Sequence, residues 1–79
     1  MKKLYNDFIE DVRKIRGFKN LTVTYNPSLD EISIYFTKKQ WEKIDNENSK
    51  QWERFSNLLW DYDLKHGFYC GYITVYEEN

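Results

Sequence analysis

The segment that most constrains this fold is residues 38–66, which has a helical pattern almost throughout and contains all three tryptophans of the chain. On one continuous helix its large side chains recur at steps of three and four residues and form a single stripe. The stripe consists of Trp41, Ile44, Asn48, Trp52, Phe55, Leu59, Tyr62 and His66. We therefore expect the rest of the chain to pack against this segment.

A break in this helix is predicted at residues 45–49, because the sequence DNENS combines poor helix propensity with good capping chemistry. An unbroken helix over the segment would also be about 43 Å long at 1.5 Å per residue, which is longer than a small sheet covers. We expect a short helix at 38–44, started by a capping box of Thr37 and Gln40, and a main helix at 49–65. A single continuous helix is the alternative.

The segments on either side predict one more helix and three strands. Residues 3–16 have the apolar spacing of an amphipathic helix, and the glycine that follows them suits its C-terminal cap. Residues 21–25 and 31–37 alternate strictly around a short turn, which predicts a β-hairpin. Residues 68–77 alternate again and are predicted to form one continuous third strand.

These elements predict a single α+β domain over residues 1–79, in the order α-β-β-α(α)-β. The economical architecture is a three-stranded antiparallel sheet with the helices packed on one face and the other face open. A right-handed crossover would place the third strand beside the first. A position beside the second strand is the alternative.

Composition excludes several classes of function. The net charge of −1 gives no global attraction to nucleic acid or to an anionic membrane. No apolar run approaches membrane-spanning length, and acidic residues interrupt the first apolar stretch, so we expect neither a membrane anchor nor a signal peptide. The lone Cys70 allows no disulfide within the chain, which is typical of a cytoplasmic protein.

The residues that carry chemistry are too few for a predicted active site. His66 is the only histidine, and Cys70 follows it by four residues, but the end of a helix and the start of a strand rarely aim side chains at each other. Asp63 and His66 share a helix face, yet two ligands without a third make a weak metal site. We expect no catalytic residues, no metal and no cofactor.

Two sets of apolar side chains are left over from the predicted core. The first lies on the open face of the predicted sheet and comprises Tyr35, Tyr72, Tyr76 and Phe68. The second comprises Trp60 and Leu64, which lie on a flank of the main helix, about 100° from its stripe. Tyrosine gives contact area at a low entropy cost, so these residues predict a partner-binding surface. Tyrosine and threonine are also simply good residues for an exposed strand. The alternative for Trp60 and Leu64 is that they widen the buried face of the main helix toward the first helix, so the sequence leaves the exposure of Trp60 open.

These features predict a small non-enzymatic module that binds a larger host protein or a protein–nucleic-acid complex. Small, lysine- and asparagine-rich chains are frequent in phages and mobile elements. The most specific expectation is therefore an inhibitor of host defence, such as an anti-CRISPR protein, acting in the host cytoplasm. This expectation is an analogy of class, based on size and composition.

Two alternatives stay open. One is a nucleic-acid-binding or regulatory domain that uses the basic end of the first helix and the start of the next one. Its residues are Arg13, Lys14, Arg16, Lys19, Lys38 and Lys39. The other alternative is a homodimer that covers the open sheet face.

Overall fold

A computed structural model describes residues 1–78 and has three helices and four strands. In chain order these are α1 (Lys3–Arg13), β1 (Thr22–Asn26), β2 (Glu31–Tyr35), α2 (Lys38–Ile44), α3 (Lys50–Asp61), β3 (Lys65–Phe68) and β4 (Tyr72–Tyr76). The α+β class is confirmed, but the prediction of three strands is wrong. No helix within residues 1–78 has the length and apolarity needed to cross a bilayer.

The four strands form one sheet in the order β1-β2-β4-β3, and every neighbouring pair is antiparallel. Of the two positions predicted for the last strand, the one beside the first strand is wrong and the alternative is confirmed, because β4 lies beside β2. The centre of the sheet is the β2–β4 pair, in which Ile32 is opposite Val75 and Ile34 is opposite Ile73. After α3 the chain first forms the edge strand β3. It then reverses direction and forms β4, which lies between β2 and β3.

The fourth strand arises because the predicted strand 68–77 reverses direction in its middle. The Tyr69 amide donates a 3.0 Å hydrogen bond to the Tyr72 carbonyl, and Gly71 between them has a φ of +87°. This positive φ suits glycine and allows a tight hairpin. Phe68 consequently pairs with Ile73 and faces the helices. The prediction that Phe68 lies on the open face is wrong, since it assumed an uninterrupted strand.

The main helix ends at Asp61, four residues before its predicted end, in a Schellman motif. The Leu64 amide donates to the Leu59 carbonyl at 2.9 Å, and the Asp63 amide donates to the Trp60 carbonyl at 3.1 Å. Asp63 holds the left-handed conformation, with φ of +53°, where a glycine is more usual. Leu64 is the apolar residue of this motif and is only 5% exposed. Its predicted place beside Trp60 on the helix flank is therefore wrong.

The other predicted boundaries differ from the structure by a few residues. The first helix ends at Arg13 rather than at residue 16, and the turn that follows contains Gly17 with φ of +91°. The short second helix has the predicted bounds, and its capping box of Thr37 and Gln40 is confirmed. Residues 45–49 separate it from α3, which Ser49 caps by accepting a hydrogen bond from the Trp52 amide.

The hydrophobic core lies between the helices and one face of the sheet. Phe55 of α3 is fully buried at its centre and contacts Phe8 of α1 edge-on, with 5.9 Å between ring centroids. The largest fully buried side chains are Tyr5, Phe8, Phe18, Phe55, Ile32, Ile34, Ile44, Ile73, Val12 and Val75. Within residues 1–78, every buried side-chain nitrogen and oxygen has a hydrogen-bond partner.

One polar cluster joins the two ends of the chain. The buried Tyr5 hydroxyl donates to the Asp30 carbonyl at 2.6 Å and accepts from the Glu77 amide at 3.2 Å. Lys2 places its ammonium 2.6 Å from the Asp30 carboxylate and 2.7 Å from that of Glu77. The Lys2 hydrogen bond lowers the pKa of Asp30. The cluster therefore fixes the start of α1 against the β1–β2 turn and the end of β4.

We expect Tyr5→Phe to lower the free energy of unfolding by about 1–3 kcal/mol, because it leaves the Asp30 carbonyl and the Glu77 amide without their partner. Tyr35→Phe is the matched control, since the Tyr35 hydroxyl makes no hydrogen bond within residues 1–78 and its loss should change stability by about 0.5 kcal/mol or less. Urea unfolding of both variants measures the difference. Equal stabilities would show that the Tyr5 hydroxyl does not hold the two ends together.

Candidate functional site

The sheet face turned away from the helices is the candidate functional site, and we call it the tyrosine face. Strand register arranges its side chains in three rows, because cross-strand partners lie on the same side of a sheet. The rows are Thr22, Tyr35 and Tyr72; then Thr24, Ser33, Thr74 and Gly67; then Asn26, Glu31, Tyr76 and Lys65. Within residues 1–78 all the helices pack on the opposite face.

Three tyrosine rings form a continuous stack along one end of this face. The Tyr35 and Tyr72 centroids are 5.3 Å apart with 28° between ring planes, and those of Tyr72 and Tyr69 are 5.0 Å apart with 8° between planes. Tyr35 and Tyr69, at the two ends of the stack, are 42% and 49% exposed. Tyr69 was missed by sequence reasoning, because alternation along one continuous strand over residues 68–77 puts it on the face opposite Tyr72. The signal available was the pair Cys70-Gly71, which suits a tight turn.

The middle row of the tyrosine face is low because its side chains are small. An ideal Cβ added to Gly67 would lie 2.8 Å from the Thr74 hydroxyl and 3.0 Å from a Tyr69 ring carbon. Any larger residue at this position would therefore push the Tyr69 ring or the Thr74 side chain away. The absence of a side chain at Gly67 lets Tyr69 lie across β3 in its stacked position.

The tyrosines of the chain divide into two groups, according to whether the hydroxyl makes a hydrogen bond within residues 1–78. Those of Tyr5, Tyr25 and Tyr62 on the helix side donate to Asp30 or Asp11. The bond to Asp11 is 2.5 Å long and raises the pKa of Tyr62 to about 12. The hydroxyls on the tyrosine face make no hydrogen bond to another group of residues 1–78, and they belong to Tyr35, Tyr69, Tyr72 and Tyr76.

The six predicted partner-binding residues do not form one surface. Tyr35 and Tyr72 are stacked, and Tyr76 lies two rows away between Glu31 and Lys65. Leu64 is in the core. Phe68 of β3 and Trp60 of α3 lie on the helix side of the molecule instead.

Phe68 and Trp60 are exposed on the helix side of the molecule. Phe68 is 45% exposed and packs on Trp41, with centroids 4.9 Å apart, and on Trp52 at 6.0 Å. Trp60 is 85% exposed and contacts no other aromatic ring within residues 1–78. It lies two turns after Trp52 on α3. The sequence left its exposure open, and the structure places its indole outside the core.

His66 and Cys70 lie on different parts of the β3–β4 hairpin and make no hydrogen bond to each other. The His66 ring lies edge-on to Trp52 at 6.0 Å, beside a cavity of about 600 Å³ that Asp45 and Glu47 also line. Partial burial lowers the pKa of His66. Cys70 is exposed in the turn. Within residues 1–78 no three side chains of the types that bind metal ions come together.

The six basic residues proposed for nucleic-acid binding are also divided by the fold. Lys14, Arg16 and Lys39 line two adjoining cavities between the helices. Arg13 donates instead to the Leu21 carbonyl at 2.9 Å. Lys19 and Lys38 line neither of these cavities.

Comparison of the chain with protein-family models, with curated proteins and with solved structures found no match. Its function is therefore inferred from the geometry and chemistry of its own surfaces.

We expect the stability of the protein to fall as the pH drops below about 6.5. Because burial lowers the pKa of His66 from its ordinary value of 6.5, the unfolded chain binds this proton more tightly than the folded one. The stability contributed by neutral His66 is fully present above pH 6.5. It is lost as the pH falls through the lower pKa that His66 has in the folded state. Thermal unfolding at about pH 7.5 and 5.5 measures it, since most carboxylates titrate below this range.

His66→Gln should make the melting temperature nearly independent of pH in this range. Lys65→Gln is the matched control, because its side chain lies on the opposite face of the same strand and should leave the pH dependence intact. An unchanged pH dependence in His66→Gln would assign the effect to another group.

Proposed function

We propose that this chain is a non-enzymatic protein-binding module that docks on a larger protein through its tyrosine face. The observation that carries the proposal is the stacked row of Tyr35, Tyr72 and Tyr69, with unpaired hydroxyls, on the side of the sheet opposite the helices. Aromatic side chains with a polar end are the residues most enriched at the energetic centres of protein interfaces.

The stack is suited to binding because its rings are already ordered. Immobilising a flexible side chain on association costs about 0.5–1.5 kcal/mol. Tyr72 is held between two rings, and Tyr69 rests over Gly67 against Thr74. A partner that covers these rings therefore meets a surface that loses little further freedom.

The relief of the tyrosine face indicates the shape of its partner. The middle row is low and open at Thr24 and Ser33, between the row of Tyr35 and the row of Glu31, whereas Thr74 in the same row is only 9% exposed. A ridge on a folded protein, such as one face of a helix, fits between two such rows. Acceptors on that ridge, such as carbonyl or carboxylate oxygens, would pair with the free tyrosine hydroxyls.

The narrower form of this proposal is an inhibitor that acts by covering a surface of a host defence protein. It is supported by the small size of the chain and by a composition like that of phage and mobile-element proteins. In that setting the module acts in the host cytoplasm, as an anti-CRISPR protein does. A small domain without a catalytic set of residues can inhibit by occupying the surface that the target's own substrate uses.

Affinity capture from host lysate followed by mass spectrometry tests the proposal. We expect one stoichiometric partner, recovered by the wild-type chain and by Trp60→Ala but lost by Tyr35→Ala and Tyr69→Ala. With the purified partner, loss of an energetically central tyrosine should weaken binding about 30-fold, which corresponds to about 2 kcal/mol. Urea unfolding of each variant checks that the fold is retained.

Two results would contradict this assignment. Retention of the partner by the tyrosine variants and its loss with Trp60→Ala would move the binding surface to α3. Sedimentation showing a dimer of the wild-type chain, with both tyrosine variants monomeric, would show that the face binds a second copy of the chain.

A further inference from the structure

A groove lined by positive side chains lies where the ends of the three helices meet. It consists of two adjoining cavities of about 710 and 540 Å³, which share Arg16, Lys43 and Gln51 in their linings. We call it the basic groove. Its cations are Lys14, Arg16, Lys39, Lys43, Lys50 and Arg54. No carboxylate of residues 1–78 lines either cavity.

Most of these cations have no partner of opposite charge. Lys14 is 3.3 Å from the Asp11 carboxylate, but the other five make no ion pair within residues 1–78. Asp45 and Glu47, on the loop between α2 and α3, line the separate cavity beside Trp52. In a chain whose net charge is −1, this grouping leaves a local excess of positive charge. Like charges held together repel one another, and a bound anion relieves that repulsion.

Two glutamines hold the backbone of the groove in place. Gln40 of α2 donates to the Gly17 carbonyl at 2.9 Å, and Gln51 of α3 donates to the Arg16 carbonyl at 3.4 Å. The turn after α1 is thereby tied to both later helices. These hydrogen bonds join residues 23 and 35 positions apart, so the groove forms only when the chain is folded.

We propose that the basic groove binds the phosphodiester backbone of a nucleic acid without reading its sequence. The groove is lined by arginine, lysine, glutamine, asparagine, serine and threonine, which are the side chains that contact phosphate groups. Its one aromatic residue, Phe18, is buried in the core and offers no ring for base stacking. Five unpaired cations spread over two cavities match several successive phosphates better than one free anion.

This site is independent of the proposed protein-binding function. The basic groove lies among the helices, whereas the tyrosine face is on the other side of the sheet. Either site can therefore fail a test without affecting the other. If both are used, the module could contact a protein and the nucleic acid that the protein carries.

Fluorescence anisotropy with a labelled single strand of about 16 nucleotides tests the proposal. Contact with about four phosphates predicts that log K falls with log salt at a slope of about −3. Affinity should therefore drop by roughly 60-fold between about 50 and 200 mM salt. Strands of unrelated sequence should bind equally well.

The double variant Lys39→Glu with Lys43→Glu should weaken binding at least tenfold and make the salt slope shallower by about one or two units. Lys19→Glu with Lys38→Glu is the matched control, because it changes the net charge by the same amount at residues outside the groove. We expect the control to lose no more than about threefold in affinity, since it disturbs only the long-range field. Tyr35→Ala should bind the strand as the wild-type chain does.

Three results would overturn the proposal. One is the absence of binding at about 50 mM salt. Another is an equal loss of affinity in the groove variant and its control, which would indicate nonspecific attraction. The third is tighter binding to poly-glutamate than to the labelled strand, which would assign the groove to an acidic protein surface.

Discussion

The structure depends on one constraint: three helices and their loops can cover only one side of a four-stranded sheet. A chain of 79 residues is near the lower size limit for a domain that folds alone, so it has to concentrate its apolar groups in one core. Phe55 and the β2–β4 pair lie at the centre of that core. Within residues 1–78 the second face of the sheet has no layer over it, and four of the tyrosines lie there. The open face is therefore a consequence of the architecture.

Two local reversals of the chain connect this architecture to the candidate site. The Schellman motif at Asp63 ends α3 early enough for residues 65–68 to form the edge strand. The turn at Gly71 then returns the chain as β4, between β3 and β2. The same turn brings Tyr69 beside Tyr72, which extends the pair with Tyr35 into a stack of three. The fourth strand and the tyrosine stack thus have the same origin.

Local patterns predicted the features that depend on residues close in sequence. The alternation around Tyr35 predicted its strand, and the spacing of Thr37 and Gln40 predicted the start of α2. The error at Asp63 has a physical reason, since aspartate adopts the left-handed conformation only when its surroundings hold it there. The strand order, the Tyr5 cluster and the basic groove all join residues far apart in sequence. No local pattern reports such contacts, so they required the folded structure.

The composition of the tyrosine face has a purely structural explanation, since tyrosine and threonine are favourable on any exposed strand. Gly67 argues against that explanation. Glycine in a strand weakens the strand, because it adds backbone entropy to the unfolded state and contributes no side-chain packing. What Gly67 permits is the placement of the Tyr69 ring across β3, against Thr74 and in the stack. Gly67 therefore weakens the edge strand locally but lets the Tyr69 ring complete a surface of ordered, exposed aromatic side chains, which supports the proposal that this face binds a partner.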